Sequence, residues 1–155
     1  MIKRRRALLC MLAGLIALPA AAADPVQQIP ALLTRLRTRQ DIAALNQAIT
    51  LTASLPKQKA AQQRVLWRTV FSAIDAETIP GYDFSDVPEL NLAPSPEVQL
   101  PAGAAPEAIK DKALREAYEQ ALAQNQLKAQ RYRYQSALRE QAERARDLMS
   151  ESGQR

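Results

Sequence analysis

Residues 107–152 read EAIKDKALREAYEQALAQNQLKAQRYRYQSALREQAERARDLMSES, and neither proline nor glycine interrupts them. Pro106 stands before the run and Gly153 after it. Ala, Leu, Glu, Gln, Lys and Arg dominate, the residue types that lose least on entering a helix. Asp111/Arg115, Lys112/Glu116 and Glu140/Arg144 set opposite charges one helical turn apart, each pair supporting an exposed helix by roughly a few tenths of a kcal/mol. The stretch predicts a helix from about Glu107 or Asp111 nearly to the end of the chain. At 1.5 Å per residue, about 40 residues would make a rod of roughly 60 Å.

The apolar stripe of this helix is thin. Leu114, Tyr118, Ala121 and Leu122 make a face near its start, whereas Leu127, Tyr132, Tyr134, Leu138 and Leu148 are sparse. A heptad through Leu114 and Ala121 continues to Lys128, Gln135 and Ala142, which is not a regular coiled-coil seam. The first half is therefore expected to dock on the rest of the protein, and the second half to project into solvent or meet a partner.

Upstream, residues 79–106 carry Pro80-Gly81, Pro88, Pro94, Pro96, Pro101 and Pro106, too many prolines for a helix or a regular sheet. Tyr82, Phe84, Val87, Leu90, Leu92, Val98 and Leu100 are spread among them. A disordered linker usually lacks such apolar residues, so this segment reads as an extended strap laid over the N-terminal half. The competing reading is a loose tether.

Residues 24–78 hold most of the bulky apolar side chains. Pro30 suits a first helical position, and Ile29, Leu32, Leu33 and Leu36 then fall at helical spacing. Asp41 can cap a continuation of this helix or a second one in which Ile42, Leu45, Ile49 and Thr52 share a face, and Pro56 stops it. A third helix, about Lys57 to Ala76, carries Val65, Leu66, Trp67, Val70, Phe71 and Ile74 around much of its circumference and should be the best-buried element. The fold class expected is all-α: a short N-terminal helical bundle, the strap, and one long C-terminal helix over 107–155.

The first 23 residues stand apart. Lys3-Arg4-Arg5-Arg6, an uncharged run from Ala7 to Leu18, and Pro19 followed by alanines form the three parts of a cleavable secretory signal peptide. Cleavage is expected after Ala23. The apolar run is shorter than the roughly 20 residues of a membrane span. Cys10 lies inside that run rather than after it, against a lipid-anchored cysteine, and a basic leader explains the arginines without the twin-arginine route. The protein is thus expected to be exported, periplasmic or secreted, with no membrane span after cleavage.

That segment also explains the charge. The chain has 21 Lys+Arg and 16 Asp+Glu, but four of the basic residues lie in the signal, leaving 17 against 16 from residue 24 onward. The basic excess that would suggest nucleic acid largely belongs to the leader, so no nucleic acid is expected as a partner. There is no histidine, and Cys10 is the only cysteine. Catalytic triads built on histidine and the common His/Cys zinc sites therefore cannot be assembled. No cofactor motif is present.

Two groups of residues could carry function. From Gln120 to Arg139 there is no acidic residue, and Lys128, Arg131, Tyr132, Arg133, Tyr134 and Arg139 form a basic, aromatic stretch. Arg and Tyr are enriched at the energetic centres of protein interfaces. The second group is the acidic loop, with Asp75, Glu77, Asp83, Asp86 and Glu89 around Tyr82. Paired carboxylates can do acid–base work or bind a hard cation, although the glycine-centred pattern of a calcium loop is missing. The reading favoured by the sequence is a small exported helical protein, not an enzyme, that binds an envelope or secreted protein through the basic, aromatic stretch. One alternative is an enzyme or divalent-cation binder using Asp75–Glu89. The other is a structural, self-associating helical spacer.

Overall fold

The computed structural model describes residues 24–88 and 105–153. The expected signal peptide and most of the strap, residues 89–104, lie outside the described residues. Four α-helices follow one another: α1 (Pro25–Arg39), α2 (Ile42–Ala53), α3 (Ala60–Glu77) and α4 (Lys112–Glu151). Single 3-10 turns at Lys57–Lys59 and Pro106–Ala108 lead into α3 and α4. No strand occurs among the described residues, and the fold is all-α. None of the described helices is long and apolar enough to cross a membrane.

Helix α1 starts earlier than the sequence suggests. Asp24 is its cap, accepting the Val26 N–H at 3.1 Å, and Pro25 takes the first-turn position that Pro30 was expected to hold. Pro30 lies inside the helix, where it removes one hydrogen bond. The helix continues through it because Ile29, Leu32, Leu33 and Leu36 are all buried on one face. Gln40 ends α1 in the left-handed region (φ 53°), returning its N–H to Leu36 O at 2.8 Å. Asp41 then opens α2: its carboxylate accepts the Ala44 N–H at 3.0 Å and pairs with Arg35 across the corner.

Helices α2 and α3 each touch every other helix, and α1 and α4 meet only through them. Such a central position favours small side chains. Ala44, Ala48 and Thr52, one turn apart on α2, are fully buried beside Leu45 and Ile49. Thr52 satisfies its hydroxyl within its own helix, donating to Ala48 O at 2.8 Å. On α3, Leu66, Trp67, Val70, Ala73 and Ile74 are buried, while Val65 faces solvent and Phe71 is half-buried.

Helix α4 is unbroken over 40 residues and is capped by Asp111, which accepts the Leu114 N–H at 3.0 Å. The expected direction of docking is reversed. Its buried residues are Ala129, Gln135, Leu138, Gln141, Ala142 and Ala145, all but Ala129 in the second half, whereas residues 112–127 are exposed or only partly covered. The physical reason is spacing: Gln135, Leu138, Ala142, Ala145 and Met149 recur every three or four residues, and the alanines permit close approach to the other helices. Arg144 also departs from the expected pairing with Glu140. It donates to Asn46 and to Thr50 Oγ1, tying α4 to α2.

Candidate functional site

The described start of the strap, residues 79–88, packs against α4. Pro80-Gly81 turns the chain, with Gly81 at φ 68° and the Tyr82 N–H returning to Ile79 O at 3.2 Å. Tyr82 and Phe84 then point inward, alternating with exposed Asp83 and Ser85. The Tyr82 and Phe84 rings meet edge-to-face at 4.9 Å, and Phe84 meets Tyr132 of α4 at 6.2 Å in the same manner. Arg139 lies over the Phe84 ring, 5.3 Å from its centroid, with its Nε 3.2 Å from Glu143 Oε1.

Gln135 fixes the segment at its root. Its buried side-chain amide donates to Glu77 O at 3.0 Å and accepts the Ile79 N–H at 2.9 Å, closing the end of α3. Beside it the Tyr134 hydroxyl donates to Glu77 Oε2 at 3.0 Å. Burial pushes the Tyr134 phenol well above its ordinary range, and the neighbouring Glu77 carboxylate pushes in the same direction.

The six basic and aromatic residues of α4 therefore do not form one face. Tyr134 is packed against the core, and Tyr132 and Arg139 hold Phe84. Lys128 and Arg131 border a groove of about 190 Å³ with Tyr82, Asp83, Asp86 and Pro88. Arg133 is exposed, about 140° around the helix from Lys128. Lys128, Arg131 and Arg133 make no ion pair among the described residues.

The acidic loop is likewise dispersed. Asp83 accepts both the Ser85 hydroxyl (2.7 Å) and the Ser85 N–H (2.9 Å), which hold its carboxyl below the usual range. Asp86 shares the groove with Lys128, Glu77 serves Tyr134, and Asp75 borders a different groove on α3. Glu89 lies outside the described residues. No three His, Cys, Asp or Glu side chains converge as metal ligands among the described residues.

The groove on α3 is the feature that the sequence reading missed. Arg64, Trp67, Arg68, Phe71 and Asp75, with Met149 of α4, border a space of about 490 Å³. Arg64, Arg68, Phe71 and Asp75 do recur at helical spacing, but Trp67 and Phe71 in the same turn read as ordinary core. Comparison with protein families, with curated proteins and with solved structures returns no match.

Proposed function

We propose that this is a small exported protein that acts by binding another protein of the envelope or the medium, through the basic surface of α4. The observation that carries the reading is the set of exposed cations at Lys128, Arg131 and Arg133, which make no ion pair among the described residues, beside an aromatic cluster. Rigid aromatic side chains limit the entropy lost on association, and unpaired Arg and Lys steer an acidic partner. Tyr132, Tyr134 and Arg139 belong to the support of that surface, because their contacts are made within the chain.

The test separates surface from support. The protein made from its full coding sequence, tagged at the C-terminus, is passed through an envelope extract beside Lys128→Glu/Arg131→Glu/Arg133→Glu. The aromatic anchors stay intact, so the variant should melt like the parent. One protein retained by the parent in near-equal amount, released by salt and lost by the variant is the expected result. If parent and variant retain the same proteins, the cations are a solvated face and the reading is wrong.

A further inference from the structure

The groove along α3 lies on another helix from the cations of α4 and has a different chemistry. Trp67 and Phe71 form its floor, their rings tilted at 34° with centroids 6.1 Å apart, and Met149 supplies a flexible wall. Arg64 and Arg68 stand one turn apart at one end, both exposed. Like charges at that spacing repel, and neither makes an ion pair among the described residues. Asp75 stands at the far end, also exposed and without an ion pair among the described residues. The Trp67 indole Nε1 is buried, with no acceptor among the described residues.

We propose that this groove is a binding site for a small amphipathic carboxylate, a medium-chain fatty acid in chemical class. The carboxylate sits between Arg64 and Arg68, where two guanidinium groups give charge-assisted hydrogen bonds and lose their mutual repulsion. The apolar chain runs over Phe71 and Met149. A volume of about 490 Å³ is that of a small-molecule site, apolar in its floor with a few convergent polar groups. Asp75 sets the selectivity: a second negative charge on the ligand would meet it, so dicarboxylates and polyphosphates are disfavoured. It also fixes polarity, with the charged head toward the start of α3 and the tail toward its end.

The chain supplies its own reporter, because Trp67 is its only tryptophan. Dodecanoate is titrated, below its micellar concentration, into the protein made from its full coding sequence, and indole emission is followed. Dodecyltrimethylammonium and dodecyl maltoside serve as cationic and neutral controls. A saturable shift with dodecanoate alone is expected, weakened about tenfold or more in Arg64→Gln/Arg68→Gln, the loss of two charge-assisted contacts. Both arginines are exposed, so that variant should keep the parent's melting temperature; Arg37→Gln/Arg39→Gln, on α1, should bind like the parent. No saturable shift, an equal response to the ammonium or neutral chain, or unchanged affinity in the Arg64/Arg68 variant would overturn the site.

Discussion

Two buried glutamines govern how the helices end. A helix leaves its last carbonyls without partners, and burial makes that costly. Gln63, buried near the start of α3, donates to Thr52 O at 2.9 Å and to Ala53 O at 3.3 Å, closing α2. Gln135 does the same for α3 and also takes the Ile79 N–H, so one amide fixes both the end of a helix and the start of the strap. Removing it strands two backbone groups at once. We expect Gln135→Ala to lower stability by about 2–3 kcal/mol in chemical denaturation, the cost of unsatisfied buried polar groups. Exposed Gln130→Ala should change it by less than about 0.5 kcal/mol. Equal midpoints for the two variants would show that the Gln135 hydrogen bonds contribute nothing net. Neither glutamine is legible as a cap in the sequence. In a polar helix a glutamine looks like any solvated residue, and its partners lie 10 or more positions away. The local cap Asp41 is readable because its partner lies three residues on.

At the scale of elements, helices follow from local pattern and their docking does not. Leu45, Ile49, Trp67, Val70 and Ile74 identify their own faces, since bulky apolar residues at helical spacing have few alternatives to burial. Helix α4 hides its contacts in small and polar residues. One stripe, Gln135, Leu138, Ala142, Ala145 and Met149, packs on the bundle. A second, Tyr118, Leu122, Asn125, Ala129, Tyr132 and Ser136, is partly or fully covered along the other side, with Phe84 against Tyr132. Bulky side chains near residue 114 drew the docking expectation to the wrong end, because alanine buries little area per residue yet lets helices approach. The two halves should respond differently to proline, which costs about 3 kcal/mol or more inside a helix. Ala142→Pro breaks the helix inside the core and should abolish cooperative melting. Ala123→Pro, at an exposed position, should unwind residues 112–122 and reduce the helical circular dichroism while a cooperative transition remains. If Ala123→Pro unfolds the whole protein, the first half of α4 is as integral as the second.

For the whole molecule, the missing residue types set the response to its surroundings. From residue 24 onward there is neither cysteine nor histidine, so the buried cluster from all four helices must hold the fold without disulfides. The same absence leaves no side chain of ordinary pKa to titrate between the carboxylates near 4 and the phenols and amines near 10. Side-chain proton binding then differs between folded and unfolded chains only outside that interval, and stability should be nearly flat within it, where the α-amino terminus alone titrates. On the acid side, the Ala44 N–H, then Arg35, hold the Asp41 carboxyl below its usual value, and Ser85 does the same for Asp83. Folded-state pKa values below the unfolded ones mean that the unfolded chain binds more protons. This stabilisation is complete above the ordinary carboxyl range and is lost as pH falls through the lowered values. On the alkaline side the sign reverses. The raised phenol of Tyr134 favours the fold while it stays neutral, fully so below the ordinary phenol pKa, and the benefit disappears as pH climbs through its folded value. Calorimetry should therefore give melting temperatures within about 2 °C of each other from pH 5.5 to 9, with declines below about 4 and above about 10. Asp41→Asn should soften the acid decline and Tyr134→Phe the alkaline one. A marked slope between pH 6 and 8 would mean that the α-amino terminus, ordinarily near 8, or a side chain far from its ordinary range binds protons differently in the folded and unfolded chains.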